Sequence, residues 1–242
     1  MSLAYWLYRY LWNGLDWLFP PVCGGCNRPG FRWCPDCQKR VKIISEPFCQ
    51  TCGLPISYSG QCTRCSESFP PYKMLRSWSV FEGPIRHAVH QLKYHKNIAL
   101  GEALAQHFAE FFNELNWYVD LVVPVPLGKK RLKKRGYNQV GLVALPLAAV
   151  QHQRYAPQAL VRSRDTSSQV GLTHAERKVN VYGAFQAKNL LVSEKTILLV
   201  DDVATTGATL SACATALLEA GARSIYGLTL ARALPHQELM TA

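Results

Sequence analysis

Several features are missing from these 242 residues, and each absence removes a class of function. No apolar run is long enough to cross a bilayer: the nearest, Leu3 to Phe19, is short and broken by Arg9, Asn13, Gly14 and Asp16. That stretch also lacks a basic leading segment and a small-residue cleavage site, so it does not read as a secretory signal. It reads instead as an apolar helix packed on its own protein, with an interfacial membrane helix as the alternative, and the chain is expected to be cytoplasmic. There is no Gly-x-x-x-x-Gly-Lys-[Ser/Thr] loop; the nearest frame, Gly136 to Gly141, continues with Leu142. Neither Gly-x-Gly-x-x-Gly nor His-Glu-x-x-His occurs, so the fingerprints of dinucleotide binding and of a large class of zinc hydrolases are absent. Acidic side chains are scarce. Sixteen Asp+Glu against 27 Lys+Arg leave a net charge of +11, which expects polyanionic partners such as nucleic acid, phosphorylated small molecules or anionic lipid.

What is present in excess is paired cysteine. Eight of the nine cysteines form four Cys-x-x-Cys pairs: Cys23/Cys26, Cys34/Cys37, Cys49/Cys52 and Cys62/Cys65. A two-residue gap bends the chain into a knuckle that aims both sulfurs at one ion, and two knuckles make a tetrahedral thiolate site. Four knuckles therefore predict two structural Zn²⁺ ions. A disulfide scaffold fits poorly without a secretory signal, and a redox Cys-x-x-Cys needs only one pair. Sequential pairing of the knuckles closes the shortest loops; an interleaved pairing is the alternative. Little apolar material lies between the knuckles, so metal is expected to hold the segment together. Phe69-Pro70-Pro71 marks its end as a linker. Its basic balance suits either nucleic acid, with Phe31, Trp33 and Phe48 as stacking surfaces, or protein docking. The ninth cysteine, Cys213, sits in an apolar run and reads as core.

Ile197-Leu198-Leu199-Val200 has the continuous apolar character of a parallel strand buried on both faces. Asp201-Asp202 and the small, hydroxylated loop Val203-Ala204-Thr205-Thr206-Gly207-Ala208-Thr209 follow. A helical pattern then runs to Gly221, and a second strand covers Ser224 to Leu230. Ligands bind at the carboxyl ends of strands in such sheets. The loop leaves N–H groups for an anion at a helix N-terminus, and the two carboxylates suit sugar hydroxyls or hydrated Mg²⁺.

Val200 to Thr209 resembles the phosphoribosyl-pyrophosphate (PRPP) motif of type I phosphoribosyltransferases. With the four Cys-x-x-Cys pairs, the chain resembles the ComF/GntX family, associated with competence and the use of external DNA. Val123-Pro124-Val125-Pro126, Arg135-Gly136-Tyr137-Asn138-Gln139, Gln169, and Glu176-Arg177 with Asn180 extend the likeness. The resemblance implies an α/β fold: a mostly parallel sheet flanked by helices, preceded by a small double zinc ribbon. The expected divisions are an N-terminal helix over 1–20, the ribbon over 21–70, the phosphoribosyltransferase-like domain over 71–235 and a tail over 236–242.

The resemblance also implies roles. Asp201 and Asp202 would face the ribose hydroxyls and the Mg²⁺ of PRPP, and Ala204, Thr205, Thr206, Gly207, Ala208 and Thr209 would wrap the 5-phosphate. A loop after the strand Leu121–Val125 would hold pyrophosphate through Lys129, Lys130, Arg131 and Arg135. Six charges in that run exceed the needs of one pyrophosphate, so Lys133, Lys134 and Arg135 are candidates for single-stranded DNA. Arg162, Arg164, Gln169, Arg177 and Asn180 would belong to a closing loop. Lys93 and Tyr94 are expected to reach the site, whereas His87 and His90 read as packing. The resulting expectation is a protein of competence or DNA utilization that binds PRPP, and with it single-stranded DNA or other DNA-uptake or recombination proteins. The alternatives are an active transferase with an unidentified acceptor, or a zinc-ribbon adaptor with a vestigial PRPP site.

Overall fold

A computed structural model describes residues 20–164 and 183–234. The Leu3 to Phe19 stretch, Gln169, Arg177 and Asn180 lie outside the described residues.

Five parallel strands form the central sheet: β1 (Met74–Val80), β2 (Leu121–Pro124), β3 (Arg154–Tyr155), β6 (Thr196–Ala204) and β7 (Ser224–Arg232), in the order β1-β7-β6-β2-β3. A separate antiparallel pair joins β4 (Leu160–Arg162) to β5 (Phe185–Ala187). Two short helices, α1 (Pro35–Lys39) and α2 (Thr63–Glu67), belong to the cysteine-rich segment. The remaining helices are α3 (Gly83–Tyr94), α4 (Leu100–Glu114), α5 (Lys129–Arg135), α6 (Gln139–Val150), α7 (Asn189–Val192) and α8 (Ala208–Glu219).

Strand periodicity separates two cores. Leu198 and Val200 of β6 pack with α3, α4 and α6 on one face; Ile197 and Leu199 pack with α8 on the other. Each facing helix supplies a matching stripe. Ile85, Ala88, Val89 and Leu92 are buried along α3, and Leu210, Cys213, Ala214 and Leu217 along α8, both at helical spacing. Cys213 is fully buried in the second core, as its apolar setting predicts.

The cysteine-rich segment does not hang from a linker. It covers the edge of β1, where an unpaired row of backbone groups would otherwise face solvent. Leu75 donates its N–H to the Thr51 carbonyl at 2.8 Å, and Val80 donates to Lys42 at 2.8 Å. Ile43 forms an antiparallel bridge with Ser79. Gly53 is pressed so close that a Cβ there would stand 2.6 Å from the Leu75 carbonyl oxygen, and its φ of +66° already disfavours a side chain. The Gly53→Ala substitution should therefore destabilise the whole chain by at least about 2 kcal/mol, from left-handed backbone strain plus backbone overlap. A urea unfolding midpoint unchanged from wild type would contradict this docking.

Candidate functional site

The four knuckles pair sequentially. The sulfurs of Cys23, Cys26, Cys34 and Cys37 lie within 4.8 Å of one another, and so do those of Cys49, Cys52, Cys62 and Cys65. Tetrahedral zinc with ligands at about 2.3 Å requires sulfurs about 3.8 Å apart. Cys23–Cys37 at 3.6 Å, Cys26–Cys34 at 3.7 Å and Cys52–Cys62 at 3.7 Å meet that requirement and are far too long for disulfides. Backbone N–H groups point at the sulfurs, from Gly25 and Cys34 to Cys23 and from Cys52 and Cys62 to Cys49. Burial works to raise the Cys49 thiol, but the N–H groups of Cys52, Cys62 and Thr51 outweigh it and bring the group down to about 6. The donor set, spacing and hydrogen bonding all fit structural zinc. Guanidinium groups lie beside the sulfurs: Arg40 is 3.6 Å from Cys37, and Arg64 and Arg232 are 3.9 and 3.8 Å from Cys52.

Two of the three proposed stacking rings are already engaged. Trp33 donates its indole N–H to Gln38 at 2.7 Å and packs on the core, and Phe48 lies under the Arg76 guanidinium at 4.7 Å. Phe31 is exposed.

A second site lies at the carboxyl ends of β2 and β6. It is a cavity of about 830 Å³ lined by Asp201, Asp202, the loop after β6, one side of α5, and Lys93, Tyr94 and Arg162. The alternation that divides the cores also divides the carboxylates. Asp202 follows Val200 onto the α3/α6 face. There it accepts a hydrogen bond from Lys93 Nζ at 2.8 Å and another from Gln139 Nε2 at 2.6 Å. Asp201 follows Leu199 toward α8. Burial, and next to it the charge of Asp202, raise its carboxyl to about 7, against the pull of the Asp202 N–H, Lys93 and Arg162.

The loop after β6 is a turn into a helix. Thr206 accepts the Ala208 N–H at 3.3 Å, so its hydroxyl caps the turn and does not line the cavity, whereas Ala204, Thr205, Gly207, Ala208 and Thr209 do. Gly207 enters α8 at φ +79°, with the Tyr72 hydroxyl 3.2 Å from where its Cβ would be.

The basic run is a helix, not the loop expected from sequence. Lys and Arg are good helix formers, and Gly128 and Gly136 bound the seven residues of α5. Helical spacing sorts the charges: Arg131, Lys134 and Arg135 line the cavity, while Lys129, Lys130 and Lys133 are exposed and do not. The pyrophosphate roles expected for Lys129 and Lys130 thus have no contact with the cavity behind them. Arg164 also lies outside it; Arg162 lines it and stacks 5.3 Å from the Phe185 ring.

The segment after α5 explains itself residue by residue. Arg135 donates to Gln139 Oε1. The Tyr137 hydroxyl donates to the Leu92 carbonyl at 2.8 Å, anchoring α3. Asn138 caps α6 by accepting the Val140 N–H and grips the Val125 carbonyl through its own amide at 2.9 Å. Gln139 then reaches Asp202. Sequence reasoning placed Lys93 near the site but missed its ion pair with Asp202. It noted Gln139 without assigning it a role, and it missed Tyr72 and Arg232 entirely. A lone arginine ending an apolar strand was the available signal for Arg232.

The combination is that of a phosphoribosyltransferase fold carrying two tetrathiolate centres. Residues 14–66 match the double zinc ribbon domain, and residues 90–239 the phosphoribosyl transferase domain. Among solved structures, glutamine phosphoribosylpyrophosphate amidotransferase from Bacillus subtilis has a TM-score of 0.40 at 21% identity, covering 55% of this chain and 26% of that one. DNA utilization protein YhgH of Escherichia coli is 31% identical over 226 residues, 89% of this chain and 98% of that protein. Competence protein ComFC of Bacillus subtilis is 30% identical over 216 residues, 85% of this chain and 86% of that protein. The sequence matches place the chain in the ComF/GntX family of double-zinc-ribbon phosphoribosyltransferase proteins. No helix among the described residues is long and apolar enough to cross a membrane.

Elemental analysis should return two zinc ions per chain, and Cys49→Ser should reduce this to one. Because Gln50, Thr51 and Cys52 bond to Arg76, Leu75 and Arg232 of the sheet, that substitution should also lower the thermal midpoint of the phosphoribosyltransferase part. A ribbon that melts separately and leaves the remainder unchanged would contradict the docking.

Proposed function

We propose that the cavity binds PRPP with Mg²⁺, and that the protein serves DNA utilization through this site and the outer face of α5. The observation that carries the reading is the convergence, in one cavity, of two carboxylates, a small-residue turn at a helix N-terminus and a cationic helix face. The 5-phosphate sits on the turn formed by Ala204, Thr205, Gly207, Ala208 and Thr209, where N–H groups and hydroxyls meet an anion. Asp201 and Asp202 accept the ribose hydroxyls. Lys93 and Gln139 fix Asp202 by donating to its two oxygens, and Asp201, whose carboxyl is raised, is the carboxylate whose state changes on binding. Arg131, Lys134 and Arg135 take the pyrophosphate. Bound Mg²⁺ would neutralise charge on the pyrophosphate and withdraw electrons from its bond to the sugar. In transfer, the C1–oxygen bond to pyrophosphate breaks as a nucleophile forms its own bond to C1, and the cationic face of α5 stabilises the departing charge. Arg162, beside Asp201, is placed to cover the sugar.

The outward cations favour a second ligand. Lys129, Lys130 and Lys133 are exposed together on one side of α5, suited to the backbone of single-stranded DNA. The names of the relatives, which refer to competence and DNA utilization, support this reading.

Two triple substitutions separate the ligands. Replacing Arg131, Lys134 and Arg135 with Gln should abolish PRPP binding. Replacing Lys129, Lys130 and Lys133 with Gln should spare PRPP but lower the slope of log K for single-stranded DNA against log salt by up to about two units, at about 0.7 per lost contact. Equal effects of both on both ligands would refute the division of the helix.

The raised Asp201 carboxyl gives a pH signature. Below about pH 7 it is neutral and a poor acceptor, so PRPP affinity should fall by up to about tenfold per pH unit beneath that point. Asp201→Asn should bind weakly and lose the part of the pH dependence that PRPP's own ionisation does not supply. A wild-type profile superimposable on that of the variant would remove Asp201 from the site.

A further inference from the structure

Arg232 ends β7 and is fully buried. Among the described residues no carboxylate lies within ion-pairing distance of it. A buried cation without a counter-charge costs several kcal/mol, so the partner it does have is informative. Its Nη1 donates to the Cys52 carbonyl at 2.7 Å, and its Nη2 lies 3.8 Å from Cys52 Sγ. Cys52 belongs to the second tetrathiolate set. With zinc bound, that centre is net negative, because four thiolates outweigh one Zn²⁺. The metal centre is therefore the counter-charge that the guanidinium otherwise lacks.

The same residue borders the phosphate turn. Its backbone pairs with Ala204 on one side and Val80 on the other, and Ala233 donates to the Ala204 carbonyl at 2.9 Å. At the far end of the turn the Tyr72 hydroxyl lies 3.2 Å from where a Cβ on Gly207 would stand. Tyr72 is buried. The start of the turn thus rests on a residue that answers to the second zinc centre. The first centre makes its contacts elsewhere, with Gly24 against Leu100 and Gly25 against Pro84.

We propose that Arg232 is a positioning residue that ties the second zinc centre to the phosphate turn, so that occupancy of this centre, and not of the first, sets the geometry of residues 204–208. By linkage, whatever Arg232 adds to zinc affinity, zinc returns to the order of the turn. The consequence for ligand affinity rests on the PRPP reading above; the coupling of metal to turn does not.

The coupling is read in the full-length, zinc-loaded protein without PRPP. Zinc release to a chromogenic chelator should be biphasic in wild type. Arg232→Gln should weaken one of the two sites by about 10- to 100-fold, the scale for losing an outer-shell partner of a ligand, and Arg232→Lys should restore much of it. Amide hydrogen exchange at residues 204–208 should accelerate in Arg232→Gln and on stripping wild-type protein of both ions. It should remain at the wild-type rate in Cys37→Ser, which empties only the first centre. If Arg232→Gln does not fold, the comparison of stripped wild type with Cys37→Ser still decides. Unchanged zinc release in folded Arg232→Gln would overturn the proposal, as would equal acceleration of the turn on loss of either centre. Should zinc and exchange respond as expected while wild type fails to bind PRPP with Mg²⁺, the coupling stands and the assignment of the ligand falls.

Discussion

The two-residue period of β6 is the constraint from which the rest of the site follows. This strand has parallel partners on both sides, β7 and β2, and helices on both faces. Its side chains therefore have no freedom to choose a face. Leu198 and Val200 commit Asp202 to the α3/α6 side, and Ile197 and Leu199 commit Asp201 to the α8 side. Adjacent carboxylates that would repel in one plane are separated by the pleat and given different surroundings. One is ion-paired with Lys93 and hydrogen-bonded by Gln139; the other is held near the midpoint of its titration at neutral pH. A single-residue slip of register would exchange these roles and misfit both cores.

The ribbon enters this arrangement as part of the sheet. An edge strand such as β1 needs cover, and a segment with little apolar content needs metal to hold its shape. Docking meets both needs, through backbone hydrogen bonds that Leu75 and Val80 of β1 donate to the Thr51 and Lys42 carbonyls. The second centre is joined to the carboxyl end of β7 through Arg232 and Cys52. The first is joined to the helical layer, through Leu100 and Pro84. Two centres of identical chemistry thus have different mechanical neighbours.

The local parts were legible in sequence. Cys-x-x-Cys spacing is a property of adjacent residues, and so is the strand–carboxylate–turn–helix run from Ile197 to Leu218. In both cases covalent proximity does most of the folding work. The basic run was misread because charge density said anion while the flanking glycines and the helix propensity of Lys and Arg decided conformation. Once α5 is a helix, its six charges divide in a way that a loop would not impose. What sequence could not supply were contacts between distant segments. Lys93 with Asp202, Tyr72 with Gly207 and Arg232 with Cys52 join residues brought together only by the closed sheet, and nothing in their local patterns announces the partner. The sequential pairing of the knuckles was favoured by loop length and is what the sulfur positions display.

The central claim is that strand ends, turn and helix face form one site for a pyrophosphorylated sugar whose charge is shared with Mg²⁺. Calorimetric titration of the zinc-loaded, full-length protein with PRPP, with and without Mg²⁺, tests it most directly. The expected result is saturable binding of one PRPP per chain that requires Mg²⁺ and persists in salt that dissociates single-stranded DNA. No heat at millimolar PRPP with Mg²⁺, or binding that vanishes with salt in step with DNA, would contradict it.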